Sequence, residues 1–220
     1  MSTRKKAAKP RSSGRHVVVT AGPTREHVDP VRYMSNESSG RMGFEIARAA
    51  VEAGDRVTLI AGPVHMETPP GVKRVDVVSA RDMLKAVQSA FRDADALIMA
   101  AAVADWRPKR KLAGKWRKKD QKTETASLEL VRNPDILATV ARRKGHRLVV
   151  GFALETGDGP RRAMRKLVRK NADFIVLNDE TALSSTRTSV TLLAADGSSK
   201  TFENKTKRAV AKALVKHTRV

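Results

Sequence analysis

The chain has 220 residues with 40% hydrophobic content, enough for one sizeable core. It has neither the roughly 20 consecutive apolar residues of a membrane span nor the apolar segment of a secretory signal, and zero cysteines exclude disulfides, a thiolate zinc site and a cysteine nucleophile. Charge is the unusual property: 44 Lys and Arg stand against 23 Asp and Glu, a formal +21, yet an aromatic content of 4% argues against a base-stacking nucleic-acid platform.

In chain order, residues 1–14 are polar, basic and without periodicity, and read as a disordered basic arm; 15–220 read as one domain. His16–Thr20 is the first strand. A polar Gly/Pro/Ser stretch over residues 21–43 follows, far longer than the usual βα connection of about 2–6 residues, and its length suggests function. The apolar spacing from Phe44 through Ala50 predicts a helix that ends near Gly54, and Arg56–Ala61 predicts a strand. Val75–Val78 reads as a short strand, after which Ser79 caps a helix with Asp82 in its first turn. The unbroken apolar run Ala96–Ala102 suits a central parallel strand covered on both faces. The basic segment 109–122 reads as a mobile flap. Leu128–Val131 is the next strand, leading to a helix that starts with Asn133 as N-cap and Pro134 at its first position. Leu148–Leu154 is a buried strand, residues 160–170 a basic helix and Asp173–Leu177 a strand. Ser189–Ala194 and Lys200–Phe202 form a hairpin, and Lys205–His217 closes the chain as a helix. This alternation predicts an α/β fold: a Rossmann-like open, mostly parallel sheet with helices on both faces, extended by a small hairpin and flap.

Several positions in this pattern suit chemistry. The carboxyl end of a strand and the following helix N-terminus make an anion-binding crevice, so Gly22, Ser38, Ser39, Gly40 and Gly43 are read as a substrate or anion loop. The side chain of Asn36 offers both a donor and an acceptor, fit to orient a carbonyl that gains charge in a tetrahedral intermediate. Asp105 ends a central strand, where a carboxylate can read a ribose or a base amino group. Lys115 lies in the flap, and Lys166 and Lys170 share one helical face with Arg162; the three lysines suit a triphosphate. A dinucleotide fingerprint would need Gly-x-Gly-x-x-Gly after the first strand, but the glycines here are Gly22, Gly40 and Gly43. A short-chain dehydrogenase would need a lysine four residues after its tyrosine. The one tyrosine, Tyr33, is followed there by Glu37. The five histidines are scattered without metal-ligand spacing.

The segments Thr20–Glu26, Asp29-Pro-Val-Arg-Tyr-Met-Ser-Asn36, Ser38-Ser-Gly-Arg-Met-Gly43, Ala100-Ala-Ala-Val-Ala-Asp105-Trp106, Asn133-Pro-Asp-Ile136, Gly151-Phe152 with Glu155-Thr156, and Lys170-Asn-Ala-Asp173 occur in one order. Together they closely resemble the phosphopantothenoylcysteine synthetase family, over roughly residues 15–180. The resemblance implies a cytoplasmic, homodimeric ligase of coenzyme A biosynthesis. Such an enzyme activates 4′-phosphopantothenate with a nucleoside triphosphate and transfers the acyl group to cysteine. The motifs look bacterial, which implies CTP, with Mg2+ on its phosphates and an acyl-CMP intermediate. Carried over by position, Asn36 assists conversion of that intermediate and Lys115 is the flap lysine. Met99, Ala100, Ala101, Asp105, Pro134, Asp135, Ile136, Leu137, Phe152, Lys166 and Lys170 form the nucleotide pocket. Relatives are often fused behind a flavin-dependent decarboxylase. With only about fourteen residues before the first strand, the expectation is a stand-alone ligase without flavin, served by a separate decarboxylase. Two departures stand out: the flap reads Lys115-Trp116-Arg117-Lys118 rather than Lys-Ile-Lys-Lys, and Glu180–Thr188 lacks a Phe-containing Asp/Asn stretch. The competing expectation is a non-catalytic nucleic-acid-binding protein on the same fold, motivated by the charge.

Overall fold

The computed structural model describes residues 14–118, 124–154, 159–178 and 187–219. The expected arm therefore lies outside the described residues except for Gly14, as do Glu155, Thr156 and most of the departing 180–188 segment.

Six parallel strands form the body of one eight-stranded sheet. They are β1 (His16–Ala21), β4 (Arg56–Ala61), β5 (Val72–Asp76), β6 (Ala96–Met99), β9 (Leu148–Leu154) and β10 (Phe174–Asn178), the numbers leaving room for four short strands described below. An antiparallel hairpin, β11 (Arg187–Ala194) and β12 (Ser199–Thr206), continues the sheet beyond β10. The spatial order is β5-β4-β1-β6-β9-β10-β11-β12, so the winding direction reverses between β1 and β6. At such a switch point the loops leaving two neighbouring strands diverge and open a crevice.

The alternation along β1 divides the core. Val17 and Val19 face α1 (Arg41–Glu52) and α5 (Lys207–His217), packing with Phe44, Ile46, Val210 and Leu214. Val18 faces the opposite layer of α2 (Ala80–Ala90), α3 (Ile136–Ala141) and α4 (Gly159–Lys170), with Met83, Val87, Val140 and Leu167. These side chains are almost wholly inaccessible, and each contributes roughly 1.5–3 kcal/mol by leaving water. Helices thus cover both faces, as the continuous apolar strands require.

Local boundaries differ from the sequence expectations in instructive ways. Residues 21–43 are not all loop: β2 (Arg25–His27) pairs antiparallel with β3 (Tyr33–Ser35). Helix α1 begins at Arg41, because Gly40 serves as N-cap in a left-handed conformation (φ 78°) that few other residues tolerate. Strand β5 is Val72–Asp76 rather than 75–78, since its register is set by pairing of Val57 with Val72. Strand β6 stops at Met99; beyond it the chain leaves the sheet, making one bridge between Pro23 and Ala102. Ser79 and Asp82 do form a reciprocal capping box on α2. Helix α3, by contrast, is capped by Asp135, whose Oδ1 accepts from Ala138 N at 3.0 Å, and not by Asn133. The Asn133 amide instead donates to the Ala104 carbonyl at 2.8 Å.

The segment read as a flap rises from β7 (Trp106–Pro108), which pairs with β8 (Leu130–Arg132). At the opposite, amino edge of the sheet, the residue before β1 meets the one after α5. Arg15 Nη1 donates to the Thr218 carbonyl at 2.6 Å, and Arg219 pairs with Asp55 at 2.6 Å.

Candidate active site

The crevice at the β1/β6 switch point holds two adjoining cavities. One, of about 500 Å³, runs along the loop after β6 to the start of α3 and carries Met99, Ala101, Asp105, Pro134, Asp135, Ile136, Leu137, Phe152 and Lys166 on its walls. The other, of about 750 Å³, lies over the start of α1 and is lined by Asn36, Ser38, Ser39, Gly40, Gly43 and Ala100. Ala101, Asp105, Phe152 and Lys166 line both, which makes them one cleft.

The chain builds this cleft by tying three loops together. Thr20 Oγ1 accepts from Ala101 N at 3.2 Å and Thr24 Oγ1 from Ala104 N at 3.0 Å. The Ala102 carbonyl accepts from Thr24 N at 3.2 Å and from Asn36 Nδ2 at 2.9 Å. Asn36 is otherwise exposed, so this bond orients its amide toward the cleft. Gly43 lets α1 approach β1: a Cβ there would lie 2.5 Å from the Ala21 Cβ and 2.8 Å from the Thr20 carbonyl oxygen. The first-turn N–H groups of α1, which lack intrahelical partners, are thereby brought to the cleft floor.

Cations line both cavities; Asp105 is the acid common to them, with Asp135 on the first and Glu37 on the second. Lys166 Nζ donates to the Phe152 carbonyl at 2.9 Å, which holds the ammonium on the wall shared by the two cavities. Lys207 and Arg41 border the second cavity. Burial, and then the neighbouring Arg41 guanidinium, push the Lys207 ammonium below the ordinary lysine range. An anion placed between the two relieves that repulsion. Asp105 is exposed; its carboxylate accepts no hydrogen bond and forms no ion pair among the described residues. Arg107, its nearest basic neighbour in sequence, is committed to Asn133 Oδ1 and the Arg132 carbonyl.

Three expected residues stand apart. Lys170 lines neither cavity; it bonds Asp135 Oδ2 on the outer side of the α3 cap. Burial lowers the Lys170 ammonium and the Asp105 charge partly restores it. Gly22 lies beneath the cleft, its carbonyl accepting from Ala102 N at 2.9 Å. Lys115 is exposed and lines neither cavity. The segment carrying it is tied down at the β2–β3 turn: Leu112 N donates to the Val28 carbonyl at 2.9 Å and Trp116 N to Asp29 Oδ2 at 3.0 Å.

The sequence reading did not single out Arg41, Lys207, Asn178 or Asp29 as site residues. Asn178 ends β10 on the cleft wall, and its buried Oδ1 has no hydrogen-bond partner among the described residues. A strand-end position was the available signal for it; nothing local distinguishes Lys207 from other lysines. No group of three or more His, Asp or Glu that could hold a metal exists among the described residues.

Residues 12–219 match the family model described as the DNA/pantothenate metabolism flavoprotein C-terminal domain. The coenzyme A biosynthesis bifunctional protein CoaBC of Vibrio cholerae is 50% identical over 167 residues, 76% of this chain and 42% of the relative. That of Bacillus subtilis is 47% identical over 167 residues, 76% of this chain and 40% of the relative. The chain thus spans about two fifths of the length of these curated relatives. A crystal structure of the C-terminal domain of a coenzyme A biosynthesis bifunctional protein CoaBC shares the fold with a TM-score of 0.80 at 40% identity, over 93% of each chain.

Proposed function

The chain belongs to the DNA/pantothenate metabolism flavoprotein C-terminal domain family, and from that premise we propose that it is a CTP-dependent phosphopantothenate–cysteine ligase of coenzyme A biosynthesis. The observation that carries this reading is the single cleft in which Asn36 and the α1 N-terminus face Asp105 and Lys166. Neither pure nucleic-acid binding nor nicotinamide chemistry calls for that set.

In this reaction the pantothenate carboxylate is itself the nucleophile. Its oxygen attacks the α-phosphorus of CTP, the bond to the β-phosphate breaks, and pyrophosphate leaves with the electron pair. The protein's task is positioning and neutralisation of charge rather than generation of a nucleophile. Lys166, on the wall common to both cavities, suits the triphosphate. The apolar surface of Met99, Ile136, Leu137 and Phe152 suits the base, and Asp105 its exocyclic amine or the ribose. Magnesium bound to the triphosphate would add charge neutralisation there, and the acids available to it on the cleft walls are Asp135 and Glu37 beside Asp105. In the second half-reaction the amine of cysteine attacks the acyl carbonyl, loses a proton, and CMP departs. The Asn36 amide, fixed by Ala102, is suited to the carbonyl oxygen as it gains charge. Lys115 would close over the anions from the 109–118 segment. The reading includes a homodimer in the cytoplasm, a product that a decarboxylase consumes, and a ligase step that itself uses no flavin.

The test is pyrophosphate release with 4′-phosphopantothenate, comparing CTP with ATP, with and without cysteine. CTP-dependent release that becomes sustained when cysteine is added is expected. No release with either nucleotide from folded protein overturns the ligase reading. Affinity for random duplex DNA that survives physiological salt would then favour the nucleic-acid alternative.

A further inference from the structure

Asp29 lies on the turn between β2 and β3 and lines neither cavity, yet its side chain is wholly inaccessible to solvent. A buried carboxylate is costly unless its lone pairs are met. Here they are met from two directions. Oδ1 accepts from Val31 N and Arg32 N, both at 2.8 Å, bonds that shape the turn itself. Oδ2 accepts from Arg32 Nε at 2.9 Å and, from far along the chain, Trp116 N at 3.0 Å. Burial would raise this carboxyl, but the N–H bonds from Trp116, Val31 and Arg32 outweigh it and hold the group ionised, well below the usual carboxylate range.

Two further ties reinforce the one to Trp116. Leu112 N donates to the Val28 carbonyl, and Arg32 Nη2 to the Trp116 carbonyl. Lys115 is therefore bracketed, with a tie three residues before it and another at its immediate neighbour. The other arm of the same hairpin leads directly from β3 to Asn36. That hairpin is fixed to the body by Glu26, which accepts from Ala80 N at 2.9 Å, and by Ser35 Oγ, which donates to the Thr24 carbonyl at 2.8 Å. The flap lysine and the cleft asparagine thus share one rigid base.

We propose that Asp29 is a positioning residue, a latch that fixes the 109–118 segment to the β2–β3 turn and so sets Lys115 relative to Asn36. The functional half of this inference rests on the ligase reading; the mechanical half does not.

The test separates the two. Trp106→Phe leaves Trp116 as the sole tryptophan, an internal probe of the latched segment. In that background and without ligands, Asp29→Asn is expected to raise acrylamide quenching of Trp116 at least about twofold while the far-UV spectrum is unchanged, because Asn turns an N–H toward donors. Unchanged quenching overturns the latch. With otherwise unaltered protein, Asp29→Asn is expected to lower kcat for CTP-dependent pyrophosphate release about 10-fold or more, and to lower it no further when Lys115 is already Gln. A loss of equal size in the Lys115→Gln background, or no loss at all, overturns the positioning role. If Asp29→Asn fails to fold, Arg32→Ala removes the side-chain bonds to Asp29 and to the Trp116 carbonyl and leaves the backbone N–H bonds to Asp29 in place; the same dependence on Lys115 is expected, and additivity overturns it. Absence of release by the unaltered enzyme refutes the ligase reading and the role of Lys115 with it, while quenching still decides the latch.

Discussion

The approach of α1 to β1 can be tested by adding one methyl group. In Gly43→Ala, the new Cβ meets the Ala21 Cβ at 2.5 Å, the Thr20 carbonyl oxygen at 2.8 Å and the Ala21 Cα at 3.0 Å. Carbon pairs are comfortable at roughly 3.5–4.0 Å, so the first turn of α1 must retreat by about 1 Å. Overpacking of this kind costs about 1–3 kcal/mol, and the better helix propensity of alanine returns up to about 1 kcal/mol. The net loss is on the order of 1–2 kcal/mol, or ~2–8 °C in Tm for a chain of this size. The same retreat moves the anion-facing N–H groups, and a displacement of about 1 Å can lower turnover roughly 100-fold. Gly54→Ala is the matched control. Its backbone is left-handed (φ +87°) with nothing within 4 Å of the added carbon, so it suffers about 1–2 kcal/mol of strain at the end of α1 remote from the cleft. Thermal melts and pyrophosphate release, both read well below the melting range, compare the two. Equal turnover in the two variants, or a higher Tm for Gly43→Ala, refutes the reasoning.

Other expectations follow from single contacts. Asn36 is exposed and makes its bond to Ala102 at the cleft, so Asn36→Ala should change Tm by no more than about 2 °C while abolishing transfer to cysteine; a large fall in Tm would make it a structural residue. His16, 5% exposed, bonds Thr58 Oγ1 at 2.9 Å and the Asp93 carbonyl at 3.2 Å. Burial lowers its pKa below 6.5 against the opposing pull of the Asp93 carbonyl. The unfolded chain then binds more protons, so this group's contribution is complete above the unfolded value and is lost as pH falls through the folded one. Tm should decline as pH falls below about 6.5, and His16→Gln should flatten that part of the profile; an unaltered slope in the variant counts against His16. For the α3 cap, Asp135→Ala should speed amide exchange at Ala138 and cost about 1 kcal/mol, whereas Asn133→Ala should leave Ala138 exchange unchanged. The reverse pattern would restore Asn133 as the cap.

Those long apolar runs that are buried on both faces were readable because nothing else competes for them: β1, β4 and β9 fall where alternation and flanking glycines place them. The hairpin of β2 and β3 was not. Three-residue strands carry too little pattern, and this pair is held by distant groups, Ala80 N on Glu26 and Ala102 on Thr24. The cap of α3 shows local chemistry being redirected. Asn133 before Pro134 is a good helix start, but its amide is claimed by Ala104, and Asp135 takes the role. Of the residues that line the cleft, Asn36 and Asp105 could be placed from the rule that ligands bind at loops following strands. Phe152, inside β9, came instead from the family resemblance alone, and Lys166, on α4, from its basic face and that resemblance. Lys207 and Arg41 could not be placed, since only the three-dimensional meeting of α5 with the start of α1 makes them neighbours of the same cavity.

The contact between Arg15 and Thr218 sets the residue before β1 against the one after α5, on the edge of the sheet that points away from the cleft. A short linker from Thr218 to Arg15, with the backbone opened instead at the Asp196–Gly197 turn, therefore leaves all eight strands with their present neighbours: the order of the sheet does not depend on the order in which its strands are synthesised.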